Sequence, residues 1–129
     1  MSIRIVRLGC PRAAGEGTRI GTVRRPPRGV PKAKFASENW YDVWFPTLAP
    51  SVETMKLGQG AGTSAAWAGF VRKYRAEMAS PDASHALALL AALSHQSSFS
   101  LGCYCEDEAH CHRSVLGELL AERGARIER

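Results

Sequence analysis

The chain has 129 residues, 45% hydrophobic and 22% charged, which fits one globular domain with a core of its own. No apolar run approaches the ~20 residues that a bilayer-spanning helix needs, and arginines interrupt the apolar start, which excludes a transmembrane helix and a signal peptide from this reading. The net charge of +5 favours anionic partners but is modest beside dedicated nucleic-acid binders.

A cytoplasmic protein follows as the expectation, with its four cysteines reduced. Cys103, Cys105 and Cys111 cluster in one segment, unlike the spread-out cysteines of a secreted disulfide framework.

In chain order, Ile3 and Ile5 alternate with arginines, a period-two strand signal over residues 3–8. Residues 9–17 read as a loop and residues 18–24 as a second strand, positioned to form a hairpin with the first. Pro26, Pro27, Gly29 and Pro31 then forbid regular structure and leave a stiff basic loop. Around it Arg19, Arg24, Arg25, Arg28, Lys32 and Lys34 face only Glu16 and Glu38. Such an imbalance suits phosphate, nucleotide or nucleic acid, or is simply a solvated basic surface. The aromatic and β-branched residues 41–45 make a short third strand that Pro46 stops.

Ser51 can cap a short helix to about Leu57. Gly58-Gln59-Gly60-Ala61-Gly62 follows a helix rather than a strand, so it reads as a linker and not as a phosphate cradle. Trp67, Phe70, Val71, Tyr74 and Met78 fall at i, i+3, i+4, i+7 and i+11, one face of an amphipathic helix capped by Ser64. Ser80 and Pro81 restart a helix whose buried face carries Leu87, Leu90 and Leu93, with His85 and His95 as surface or capping residues at its ends. A strand over residues 99–105 and a helix from about Arg113 follow. Val115, Leu116, Leu119 and Leu120 mark the helix's apolar stripe and Gly124 its stop. Residues 125–129 extend as an edge strand. The order implies an α/β protein, a single domain over residues 1–129 with a small central sheet layered with helices.

The turn between the last main strand and helix holds the densest chemistry: three cysteines, His110, His112, three carboxylates and Arg113. Alternation along the strand places Cys103 on the core face and Cys105 at the mouth of a pocket, with Gly102 opening the opposite face to close approach. Helical spacing leans Cys111 and His112 inward, to converge with Cys105, and turns Arg113 away. Three readings stay open. Cys103, Cys105, Cys111 and a histidine suit a structural zinc, although the one-residue spacer is unlike a zinc knuckle. A cysteine at a helix start beside His and Arg suits an activated thiol. A phosphatase cradle does not fit, because seven residues separate Cys105 from Arg113 and Glu106, Asp107 and Glu108 would repel a phosphate. In the third reading the cysteines are apolar fillers and the acidic loop pairs with Arg24, Arg25 and Arg28.

Pro27-Arg28-Gly29, Leu48-Ala49-Pro50-Ser51, the helix from Trp67-Ala68-Gly69-Phe70 to Tyr74-Arg75-Ala76-Glu77-Met78, and Cys105-Glu106-Asp107-Glu108-Ala109-His110-Cys111-His112-Arg113-Ser114 make the chain similar to the YeaO-like family of small bacterial proteins, domain of unknown function 488. The resemblance implies little about activity. The family pattern has an Asp-x-Arg element before Pro-Arg-Gly, and Val23 stands at the aspartate's place here, with Arg24 kept. The family's aromatic and charged tract after Ala-Pro-Ser is replaced by residues 58–62.

The expected site is a pocket that binds or processes an anionic small molecule, nucleotide or nucleic-acid end. His112, Cys111, Glu106 and Asp107 are its candidate catalytic groups, and Arg24, Arg28, Arg113 and Ser114 its candidate binding groups. No cofactor and no resident metal are expected. The alternatives are a non-catalytic nucleic-acid or protein-binding module using the basic face, or a structural zinc site. Neither the sequence nor the resemblance decides between an enzyme and a binding module, and both leave the oligomeric state open.

Overall fold

In the computed structural model, which describes residues 1–128, the chain is α/β. The strands are β1 (Ile3–Arg7), β2 (Thr18–Gly21), β3 (Val43–Trp44), β4 (Phe99–Cys103) and β5 (Ile127–Glu128). The helices are α1 (Val52–Gln59), α2 (Ser64–Met78), α3 (Pro81–Leu93) and α4 (His112–Glu122). Among the described residues no helix is long and apolar enough to cross a membrane. Residue 129 of the expected last strand lies outside the described residues.

The strands form one parallel sheet in the order β3-β2-β4-β1-β5. β1 and β2 are therefore not a hairpin. They run parallel with β4 inserted between them, so that Ile3 and Thr18 both sit level with Phe99. All five residues of β4 are buried, as its central place demands. Gly102 is required there: a Cβ would stand 2.6 Å from Leu8 Cδ2 and 2.9 Å from the Val6 carbonyl oxygen. The space that the sequence left open for a ligand is filled by the chain's own β1.

Phe70, Tyr74 and Met78 of α2, Leu87 and Leu90 of α3 and Val115, Leu116, Leu119 and Leu120 of α4 close over Ile3, Phe99 and Leu101 as the main core. Leu93, expected in that core, is 40% exposed at the end of α3. Thr63, one residue before the expected Ser64, caps α2 by accepting from the Ala66 amide. α1 runs to Gln59 rather than stopping near Leu57, because the bare face of Gly58 receives the Phe70 ring. His95 is an exposed residue past the end of α3, its Nε2 2.8 Å from the Gly124 carbonyl beyond α4.

One polar cluster lies inside this frame. Arg19, counted among the basic-surface residues by sequence, is 1% exposed. Its Nε and Nη2 donate to the two oxygens of Glu16 at 2.7 and 3.0 Å, and its Nη1 donates to the carbonyls of Cys10 and Asn39, both at 2.7 Å. Ser100 of β4 completes the set with a 2.7 Å bond to Glu16. Burial alone would raise the Glu16 carboxyl, but the bonds from Arg19, Ser100 and the Ala13 amide bring it down to about 2.

A folded value lowered from 4.5 to about 2 means that the stabilisation is complete above pH 4.5 and disappears as pH falls through 2. The expected loss over that window is on the order of 3 kcal/mol. Glu16→Gln should remove this pH dependence and cost ~3–5 kcal/mol near neutral pH, since it leaves a buried guanidinium unpaired. Urea midpoints measured across the acid range for both proteins check this.

Candidate functional site

The carboxyl ends of β1, β2 and β4 open into a cavity of about 1110 Å³. The loops leaving the neighbouring strands β1 and β4 set off toward opposite edges of the sheet, which is where open α/β sheets hold ligands. Arg7, Leu8 and Cys10 follow β1, Val23 to Arg28 follow β2, and Cys103, Tyr104 and Cys105 close β4. Cys111 and His112 enter from the start of α4, and Trp67 and Phe70 from α2. The sequence assigned one wall to the basic loop and another to the cysteine-histidine turn, and both line this space. All four cysteines of the chain border it.

The floor differs from expectation. Cys111 meets Cys103, not Cys105: the two sulfurs are in direct contact, and their Cα atoms lie 7.8 Å apart. Cys105 is exposed at the rim. Crowding around its thiol raises its pKa, with Arg113 and Arg7 opposing, so it lacks the lowered pKa of an activated nucleophile. Leu8, Val23 and Tyr41 pack round Cys103 and Cys111. Val23 is thus an apolar neighbour of the sulfur pair.

His112 is buried above β2. Its Nε2 lies 2.7 Å from the Thr22 carbonyl oxygen, which can only accept, so Nε2 carries the proton. Nδ1 is then the lone-pair nitrogen, and it faces Cys111 Sγ at 3.9 Å. Burial lowers its pKa to about 4, against the Thr22 bond and with help from Arg113, so the ring is neutral at physiological pH.

Arg113 is not rotated away. It is 95% buried by its 5% exposure, with Nη1 donating to the Cys105 carbonyl at 2.8 Å and the Cys103 carbonyl at 3.4 Å, and lying 3.7 Å from Cys103 Sγ. It clamps the end of β4 to the turn. Ser114 Oγ donates to the Cys111 carbonyl at 2.9 Å, closing the first turn of α4.

The carboxylates of the turn do not line the cavity. Glu106 pairs with Arg7 at 3.5 Å across an exposed edge, and not with Arg24, Arg25 or Arg28. Asp107 accepts from the Ala109 amide at 3.0 Å and holds His110 Nδ1 at 2.8 Å, a bond that keeps its carboxyl below the usual range. His110 in turn stands edge-on to Trp67.

Arg24 lines the cavity while donating through Nε and Nη2 to the carbonyls of Pro50 and Ala49 at 3.2 and 3.0 Å, which leaves Nη1 uncommitted. Arg25 and Arg28 are exposed and make no ion pair among the described residues. Sequence reasoning missed Arg7, Trp40, Tyr104 and Trp67 as wall residues. Trp67 read as part of the core face of α2, and nothing local marked Arg7, Trp40 or Tyr104 as its neighbours across the cavity. Tyr104 is fixed by its hydroxyl on the Arg25 carbonyl at 2.8 Å and by its edge against Trp40.

The motifs quoted for the resemblance now divide by role. Tyr74 donates to the Leu48 carbonyl at 2.6 Å, and Glu77 accepts from the Ser51 amide and hydroxyl at 2.9 and 2.6 Å, so the α2 motif holds the Ala-Pro-Ser corner against Arg24. The Cys-His-Arg turn forms the cavity floor. Together they define a small α/β protein with a cavity at the carboxyl edge of its parallel sheet. The chain belongs to the DUF488-N3a family, described as the active DUF488-N3 subclade, whose model matches residues 3–124. No curated protein and no solved structure matches it.

Arg113→Lys keeps a positive charge but shortens the side chain, so its ammonium falls short of the place from which Nη1 reaches the Cys105 and Cys103 carbonyls. It should lower stability by roughly 1–3 kcal/mol in urea unfolding, with Arg28→Ala within about 0.5 kcal/mol of the parent as the exposed control.

Proposed function

We propose that the cavity binds an anionic ligand carrying a planar ring, a nucleotide or nucleic-acid end, and processes it at the floor. The observation that carries this reading is the lining itself: Arg7, Arg24, Arg25 and Arg28 border the space and, among the described residues, no carboxylate does. Only Arg7 of these is in an ion pair, with Glu106 outside the lining, and arginines converging in this way raise the local potential and bind phosphate through paired donors. Trp40, Trp67 and Tyr104 offer ring faces and edges to a base. Trp40 Nε1 adds a buried donor without a protein partner.

Arg24 and Arg28 hold the anion in this proposal, and Arg113 and Ser114 shape the turn beneath it. Cys111 and His112 are the groups placed to act on the ligand. Glu106 and Asp107 stand outside the lining, so a role for them requires the turn to move. The description of the matched subclade as active favours a reaction over passive binding.

Thermal-shift and calorimetric titrations with nucleoside monophosphates and a 5′-phosphorylated oligonucleotide test the reading. At least one should stabilise the protein, and Arg28→Ala should weaken it by about 10-fold, the value of one charge-assisted hydrogen bond. Binding of long nucleic acid with a steep salt slope, but of no nucleotide, would instead support the non-catalytic module. No response to any phosphate compound would end both.

A further inference from the structure

We infer that Cys103, Cys111 and His112 form a binding site for a thiophilic divalent metal such as zinc, with its fourth coordination position open to the cavity. Both sulfurs and a ring nitrogen of His112 lie within 4.8 Å of one another, and all three residues are buried. A tetrahedral ion with bonds of about 2.3 Å to sulfur and 2.0–2.1 Å to nitrogen needs donors roughly 3.5–3.8 Å apart, so small side-chain adjustments suffice. The Cα separation of 7.8 Å lies beyond the ~4.4–6.8 Å that a disulfide spans. Two cysteines whose sulfurs meet from backbones that far apart fit a shared ion better than a direct bond.

Three independent features prepare the donors. The Nε2–H bond to the Thr22 carbonyl fixes the tautomer that leaves Nδ1 as ligand, the usual way a second partner orients a metal-binding histidine. Cys111 is the N-cap of the 11-residue α4 and makes no side-chain capping bond, so its sulfur sits at the positive end of the helix, where a thiolate is favoured. Arg113 Nη1 lies 3.7 Å from Cys103 Sγ and favours the second thiolate. Two cysteines and one histidine with an open position is a donor set of catalytic rather than structural zinc sites, and here the open side is the cavity that Cys103, Cys111 and His112 all line. This is not the zinc knuckle that the sequence suggested: Cys105 points to the rim and takes no part.

The inference deepens the reading of the cavity as an anion site. Its test measures metal and thiol content rather than anion binding, so either can fail alone. The full chain, purified without chelator, should carry about one equivalent of zinc by elemental analysis, falling to under a tenth in Cys111→Ser and His112→Ala and unchanged in Cys105→Ser. If the buried variants do not fold, cobalt(II) added to metal-stripped parent protein supplies the second readout. A thiolate-to-cobalt charge-transfer band together with intense tetrahedral d–d bands is expected, with no change in Cys105→Ser. Four free thiols should be titrated after denaturation of protein purified without reductant. Protein that carries no metal and takes up no cobalt would overturn the inference, as would only two free thiols, which would mean that Cys103 and Cys111 are oxidised together.

Discussion

The architecture depends on one buried ion pair, Glu16 with Arg19. Removing two charges from water is costly, and the pair is tolerable only because every neighbour is arranged for it. Glu16 accepts from the guanidinium, from Ser100 and from the Ala13 amide, while Arg19 also donates to the Cys10 and Asn39 carbonyls. Those partners come from the loop after β1, the long loop before β3, and the middle of β4. The pair therefore fixes three segments that share no regular hydrogen-bond ladder with one another at that point. Gly9 bonds the same Asn39 carbonyl, at 2.8 Å, and Cys10 and Trp40 beside these contacts are walls of the cavity. The cavity's shape is thus held from below by electrostatics buried in the sheet rather than by the surface loops alone.

A parallel sheet then decides what can face that cavity. Its strands all deliver their carboxyl ends to one edge, so residues far apart in sequence gather there without any local signal. Thr22 and His112 meet in this way, as do Arg7 and the Tyr104 carbonyl. The exposed backbone acceptors at the strand ends are satisfied by Arg113 and by His112, which is why two residues of the most reactive-looking motif are partly engaged in holding the frame. Arg24 has the same double character, with two donors on the corner at Ala49 and Pro50 and a third left over for the cavity.

These arrangements explain which features were legible in the sequence. The face of α2 was readable because helical periodicity is local, and Tyr74 and Met78 are buried as spacing required. Cys103 as a core residue and Cys105 at a pocket mouth followed from strand alternation. The pairing of β1 with β2 was misread because alternation reports a strand but not its partner, and the strand that separates them comes almost 80 residues later, at Phe99. Arg19 resembled a surface charge because its main partners are a carboxylate three residues away and two carbonyls. Arg113 failed for the same reason: backbone acceptors leave no mark in a sequence. The meeting of Cys111 with Cys103 instead of Cys105 depends on where α4 starts, at His112 and not beyond it, a boundary that Cys111 in extended conformation sets.

Charge balance links the floor of the cavity to its rim. Were both floor cysteines bare thiolates, their two negative charges would offset part of the field of the lining arginines and lower the potential available to an anion. A divalent cation bound by the same two thiolates is neutral overall, so the floor would take nothing from the field of the lining arginines. The apolar enclosure by Leu8, Val23 and Tyr41 works in the same direction, because a low-polarity surround penalises separate thiolates more than a neutral complex. An aspartate at residue 23 would add a negative charge beside that complex and draw on the same arginines. Val23 adds no such charge, so under the proposed reading the arginine field is left to an incoming ligand.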